Sequence, residues 1–496
     1  MQGGFIKMLS EQEQIRREKL NKVSQLGMQP HPDHFDINHD LKDAAELSDG
    51  AQGVRVAGRI YAIRKMGKLD FISISNIEGK LQLLLKKDIV GEEAFDQFHE
   101  IIDIGDFIGV EGEMFTTKTG QKTLRIHSYK FLGKSLKPLP EKWHGIQDVE
   151  LRYRQRYLDL IMTDESKKRF LLRSKMISEM RRFLDDRGFF EVETPVLTNK
   201  ASGALAKPFI THHNSLDIDM FLRIAPETYL KRLIVGGFTK VYEFAKCFRN
   251  EGVSPQHLQE FTMVEGYVAY WNYKQMMKLM RDLILHTLDK VFQTTKVVVQ
   301  GNEIDFSKEW EVVSFRDLIL KDIGIDIDLY PSTKELFEEV KSRGIILEHE
   351  NPELLGRGNF IDLLYKKVSR PKIIEPIFLV EHPIDLSPLA RANDENPSLT
   401  DRFQIVVNGA EIVNAYSELV DAIEQRKRLE TQALLKAHGD EEAMEMDEDY
   451  LLAMEHGMPP IAGWGFGVER LLMMFTDCDN IKDCVLFPIT RPKIEE

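Results

Sequence analysis

Residues 248–267, FRNEGVSPQHLQEFTMVEGY, carry the densest set of chemically able side chains in the chain. Two β-prone runs flank a turn-rich loop that begins at Gly252,. At period two, Val241, Glu243, Ala245, Cys247, Arg249 and Glu251 share one face of the incoming run, and Phe261, Met263, Glu265 and Tyr267 share one face of the outgoing run,. If the two faces coincide, an arginine, three glutamates, a phenyl ring and a phenol crowd one small area, and the loop adds His257. A hydrophobic hairpin has no use for that set, because a buried charge needs a partner or a ligand. An arginine for phosphate, a ring for stacking and carboxylates for an amine or magnesium describe a nucleotide-plus-cation pocket. Taken singly, each residue has a plain structural use: Arg249 and Glu251 as a surface ion pair, Phe261 as core.

Two later stretches carry matching chemistry. In residues 403–416 an Asn408-Gly409 turn joins two β-prone runs, a strong hairpin pattern,. Asn414, Tyr416 and Glu418 fall on one face, and Glu411 falls on the other unless a bulge re-aims it. Residues 463–470, GWGFGVER, are a glycine-rich strand running into a helix. Its glycines let a ligand approach the backbone, and Arg470 lies in the first helical turn, where backbone N–H groups favour anions. The spacing is GxGxG with no βαβ unit after it, which speaks against a dinucleotide fold.

The elements around these residues divide the chain. Its 496 residues suffice for two or three domains,. Residues 1–50 are an N-terminal helical extension, with a helix over 10–26 capped by Ser10. Residues 51–135 hold five short β runs with a helical interruption near 92–103, the pattern of an oligonucleotide-binding barrel. Arg64, Phe71 and Gln82 are its candidate nucleic-acid contacts, with Lys65 and Lys68 beside them. Residues 136–150 form a linker. The remainder, 151–496, is one large domain of mixed helices and strands. In it, helices are expected over 151–172, 174–187, 226–235 and 274–291, a strand over 189–195, and a helical insertion over 310–375. The acidic run 438–450 has the composition of a solvated helical face. A formal charge of −14 argues against a nucleic-acid coat but leaves room for a local basic face,. Three cysteines without zinc spacing, no apolar run near 18 residues and no signal-like apolar start point to a reducing cytoplasm and no membrane span,.

Three stretches in order, RGFFEVETP (187–195), FRNE with EFT (248–251 and 260–262) and GWGFGVER (463–470), resemble the signature motifs of class II aminoacyl-tRNA synthetases. APETYLKRLIVGG (225–237), KPFITHH (207–213), His382-Pro383 with Ser387–Ala390, and NAYSEL (414–419) narrow the resemblance to bacterial-type lysyl-tRNA synthetases, as do Met66–Lys68 and Lys137–Pro140 in and after the barrel. The resemblance implies an α+β fold, with an antiparallel sheet flanked by helices and an N-terminal OB-fold barrel that reads the anticodon. It implies a homodimer with Pro195 near the interface. The implied reaction activates L-lysine with ATP to lysyl-adenylate and pyrophosphate, then transfers lysine to tRNA(Lys). Arg249 and Arg470 would be catalytic. Arg249, Glu251, His257, Phe261, Glu411, Asn414 and Arg470 would bind ATP, and Glu411 with Glu418 would ligate magnesium. Gly203, Glu227, Glu265, Tyr267, Asn414 and Glu418 would bind lysine, and Arg64, Phe71 and Gln82 would meet the anticodon. Several acids, with no cation beyond those assigned to phosphates, suit a cationic substrate. An aspartyl- or asparaginyl-type enzyme would need a lysine or arginine there instead. A protein-modifying relative would lack the barrel, and a non-catalytic RNA-binding paralogue would lack Arg249, Arg470 or the carboxylates. The chain departs from the family at Gln256 and Leu258, where a basic residue and an asparagine are usual, and at Trp464 and Glu469, where an aliphatic residue and an aspartate are usual.

Overall fold

The computed structural model describes residues 9–140, 146–204, 206–347, 355–437 and 444–492. The first seven residues, part of the linker and residues 438–443 of the acidic run lie outside them. Contacts divide the chain into two compact units, Met1–Asp148 and Val149–Glu496.

In the first unit, β1 (Val54–Lys65), β2 (Leu69–Ser75), β3 (Lys80–Lys86), β4 (Phe107–Thr116) and β5 (Lys122–Gly133) close into a barrel in the order β1-β2-β3-β5-β4. Alternate residues such as Val54, Val56, Ile72, Ile74, Leu83 and Leu85 fill it, which leaves the intervening positions facing out,. The helix Glu11–Gln25 is started by Ser10 in a capping box with Glu13, and Glu92–Ile101 is the helical interruption,.

The second unit is built on an eight-stranded sheet. Its strands, in chain order, are β6 (Phe190–Glu191), β7 (Leu197–Thr198), β8 (Phe209–His213), β9 (Ile218–Leu222), β10 (Lys240–Phe248), β11 (Glu260–Ala269), β12 (Lys296–Val299), β13 (Asn302–Asp305), β14 (Glu311–Ser314), β15 (Ile377–Val380), β16 (Arg402–Val407), β17 (Ala410–Ser417) and β18 (Ile461–Gly467). The main sheet runs β14-β15-β16-β17-β18-β11-β10-β6; β7, β9 and β8 form a three-stranded sheet and β12–β13 a ribbon. Every main-sheet pair is antiparallel except the two edge pairs, β14·β15 and β10·β6. One face packs on helices Asp164–Asp185, Tyr273–Thr287 and Val468–Phe475 in the largest core cluster. The other face carries the polar residues singled out above.

Several expected elements shift. A single helix, Asp164–Asp185, runs through Arg173, and the breaks fall at Gln155 and Thr163 instead. The cause is tertiary: the buried Arg156 guanidinium binds Asp159 and the carbonyls of Leu486 and Lys482, which holds that turn off the helix axis. The strand over 189–195 shortens to Phe190–Glu191, because only its start pairs with β10. The long helix after β11 ends at Thr287, and a π-helical turn over Leu288–Phe292 follows it. The segment 310–375 carries a strand as well as helices. Its first residues form edge strand β14, and its helices bury Phe315, Leu336 and Phe360 against Ile377, Leu379 and Val406 of the sheet.

Candidate active site

The β10–β11 register pairs Val241 with Tyr267, Glu243 with Glu265, Ala245 with Met263 and Cys247 with Phe261, so the two expected faces are one face. β18 lies beside β11, with Gly463 opposite Tyr267 and Gly465 opposite Glu265. A side chain on Gly463 would collide with the Glu418 carboxylate and the Tyr267 ring, and one on Gly465 would press on Glu265. These glycines are therefore the floor on which the polar side chains lie. Gly203 has φ +89°, and a Cβ there would meet Glu227 at 3.0 Å. It lets a loop close over the helix Glu227–Val235.

Two adjoining cavities result. The first, of about 200 Å³, is lined by Gly203, Glu227, Arg249, Glu265, Tyr267, Asn414, Tyr416 and Glu418 among others. The second, of about 100 Å³, is lined by Arg249, Glu251, Gln256, His257, Leu258, Phe261 and Arg470 among others. Arg249 and Met263 belong to both, and the Arg249 guanidinium lies 5.2 Å from the Phe261 ring centroid. A larger cavity of about 550 Å³ lies between helix Asp164–Asp185 and residues 485–489, and its one carboxylate is Glu260.

The first cavity is acidic. Glu265 is buried, and Tyr267 donates to its Oε2 at 3.1 Å. Among the described residues no cation pairs with it. Burial, and then the Glu227 carboxylate, push its pKa up to about 8,. Tyr416 donates to Glu227 Oε1 at 2.8 Å. In the second cavity, burial and then the Arg470 charge lower the His257 pKa, while Ser254 Oγ lies 2.7 Å from its Nδ1.

The sequence reading missed Lys231. Its ammonium is fully buried, 2.5 Å from Glu227 Oε1 and 2.5 Å from Glu418 Oε2. It lies four residues after Glu227, an i, i+4 spacing that was legible. Arg402 also lines the first cavity; it donates to Asn414 Oδ1, Leu386 O and Ser387 Oγ. The expectation of no cation beyond those assigned to phosphates is therefore corrected: Lys231 and Arg402 stand there besides Arg249, but both are engaged by the protein's own acceptors.

β17 carries a bulge where Ile405 pairs with Val413 and Val406 with Glu411. The bulge turns Glu411 onto the Asn414 face, where Gln404 Nε2 donates to its Oε2 at 2.7 Å,. Glu411 and Glu418 are seven positions apart along β17 and its extension. Glu418 belongs to the acid cavity, while the Glu411 charge acts on Arg470.

The departures from the family pattern find places. Gln256 and Leu258 line the second cavity. Trp464 points to the core face, where a Cβ on its partner Gly266 would lie 2.6 Å from the indole. Glu469 accepts from Arg173 at 2.8 Å and from the Thr262 amide at 3.0 Å. On the barrel, Arg64 pairs with Phe71, Phe71 with Leu84 and Ser73 with Gln82, so Arg64, Phe71 and Gln82 share its outer face. Thr123 donates to Gln82 Oε1 at 2.8 Å.

A sheet of this topology, carrying an arginine hairpin and a glycine strand that runs into a helix, is that of a class II synthetase, and residues 148–491 match the family model for tRNA synthetases class II (D, K and N). Residues 54–132 match the OB-fold nucleic acid binding domain. The chain belongs to the class II tRNA synthetases. It is similar to proteins named lysine–tRNA ligase. The one from Clostridium perfringens is 45% identical over 494 residues, 98% of this chain and 97% of the relative. Those from Thermoanaerobacter pseudethanolicus and Moorella thermoacetica are 46% and 44% identical over 489 and 483 residues, covering 98% and 97% of this chain and 97% and 98% of the relatives.

Proposed function

We propose that this chain is a lysine–tRNA ligase, and that the two cavities are its amino-acid and nucleotide sites. The lysine carboxylate attacks the α-phosphorus of ATP and pyrophosphate leaves. The adenylate's lysyl group then passes to the 3′ end of tRNA. No protein nucleophile is required, so catalysis is positioning and charge neutralisation. Arg249, common to both cavities, bridges the carboxylate and the α-phosphate. Phe261 stacks on adenine, Glu251 bonds near its amino group, and His257 and Arg470 hold the outer phosphates. Asn414 borders both substrates. Gly203 and Glu227 take the α-amine; Glu265, Tyr267 and Glu418 take the ε-ammonium.

The observation that carries lysine is Glu265, a buried carboxylate with a phenol beside it and no cation of the protein's own among the described residues. An aspartate-type substrate finds, among the described residues, no free cation beyond Arg249, which serves the α-carboxylate, since Lys231 and Arg402 are already engaged. The test is amino-acid-dependent ATP–pyrophosphate exchange over all twenty amino acids. Exchange with lysine alone is expected, and exchange with aspartate or asparagine instead would overturn the substrate assignment.

The phosphate end fits a magnesium ion on one carboxylate. Glu411 keeps Oε1 while Gln404 holds Oε2, and magnesium binds through one or two carboxylates together with substrate phosphates,. Such an ion would offset phosphate charge as pyrophosphate departs. The barrel face of Arg64, Phe71 and Gln82 meets the anticodon. The enzyme acts in the cytoplasm as a homodimer. In support, Cys247, Cys478 and Cys484 are unbridged, and no helix among the described residues is long and apolar enough to cross a membrane. The apolar rings of Phe190 and Phe238 meet edge to face and exposed at the β6 edge, next to the expected interface. Sedimentation should give twice the chain mass of 57.4 kDa.

A further inference from the structure

Lys231 is among the largest fully buried side chains in the molecule. A buried ammonium is costly unless every side of it is matched. Here Glu227 Oε1 and Glu418 Oε2 each stand 2.5 Å from Nζ, and the rings of Tyr267, Tyr416 and Tyr450 surround it at 5.9, 5.7 and 5.8 Å. Although burial opposes its charge, the two carboxylates raise its pKa well above the ordinary value. The ion pair takes one oxygen of Glu418 and leaves Oε1, which is buried, has no hydrogen-bond partner and lies over Gly463 in the cavity floor.

We propose that Lys231 is a positioning and specificity-determining residue, a built-in counter-ion that fixes Glu227 and Glu418 with one oxygen each toward the protein and sets how much negative charge the cavity offers a substrate. The cavity holds three carboxylates, Glu227, Glu265 and Glu418, and Lys231 offsets one of them. With all three ionised, as they are against a bound dication, two negative charges remain, which matches the two ammonium groups of a diamino acid, and Arg249 meets its carboxylate. This rests on the lysine reading above. Without Lys231 the pocket would carry one charge too many, and its two clamped carboxylates would repel one another and turn from the substrate.

The test compares the full-length wild type with Lys231→Met, Lys231→Ala and Lys231→Arg in lysine-dependent ATP–pyrophosphate exchange. Loss of a buried charge partner predicts a rise in KM for lysine of at least about thirtyfold in Lys231→Met, with KM for ATP within about twofold. Lys231→Arg should recover much of the loss, and millimolar propylammonium, which matches the atoms removed by Lys231→Ala, should partly restore that truncated variant. An unchanged KM for lysine overturns the proposal. So does an equal rise in both KM values with a lowered melting temperature and no recovery by arginine or amine, which marks a brace of the fold and nothing more. If the wild type responds to another amino acid instead of lysine, the lysine reading fails by itself, and the same variants then report on Lys231 with that substrate.

Discussion

At the residue scale, function turns on which charges have partners. Glu243 lies on the same face as Glu265, yet Arg223 Nη1 and Thr194 Oγ1 hold it at 2.6 and 2.7 Å. Glu265 has only a phenol. Its folded pKa, about 8, is above the ordinary value of 4.5 because burial and the Glu227 charge favour the neutral acid. Lysine binding needs the carboxylate, so kcat/KM for lysine should rise about tenfold per pH unit on approaching pH 8 from below and level off above it. Glu265→Gln should flatten that limb and cost about a hundredfold or more in kcat/KM. For the free protein the sign is opposite: the stability tied to the neutral acid is fully present below about pH 4.5 and is lost progressively as pH rises to about 8,. Glu265→Gln should therefore melt higher than the wild type above pH 8, read by calorimetry. Arg249 touches both cavities, and Arg249→Ala should lower adenylate formation by about 10³-fold,.

At the element scale, strands β18, β11 and β17 act as one device. The alternation of glycine with large residues in β18 gives a floor on one face and core on the other. Gly463→Ala would push on Glu418 and Tyr267, and steady-state kinetics should show KM for lysine raised about tenfold or more with ATP affinity kept,. On the opposite face Trp464 fills the space that Gly266 vacates. Gly266→Ala should destabilise by about 1–3 kcal/mol, and Trp464→Val in the same chain should recover most of it, a coupling measurable by a double-mutant cycle in denaturant,. The β17 bulge is the third part of the device, since without it Glu411 would face the core.

At the scale of the whole molecule, the proposed anticodon face lies in one compact unit and the proposed adenylate site in the other. Phe71 stands on the outer face of the barrel beside Arg64, remote in sequence from the adenylate site. Phe71→Ala should weaken tRNA charging by about tenfold while leaving pyrophosphate exchange unchanged, because one base–ring stack contributes about 1–3 kcal/mol. Equal loss in both assays would make the ring a structural part of the barrel.

Local pattern was enough for much of this. Period-two alternation exposed the β10–β11 face and the barrel strands, the Asn408-Gly409 turn announced its hairpin through two residues with positive φ, and Ser10 with Glu13 announced the first helix. These signals lie within a few residues of one another, so the chain states them without its fold. What depended on distant partners was not legible. Lys231 is an ordinary helical lysine until Glu418, far along the chain, arrives beside it. The bulge that turns Glu411 onto the Asn414 face shows only in the register of β16 and β17, and the break at Gln155 follows from carbonyls near the C-terminus that capture Arg156. Sequence determined which chemical groups and which strands the protein has. Tertiary structure decided which of those groups are already satisfied and which are left for a substrate, because the pairing of a buried charge depends on every element that packs around it.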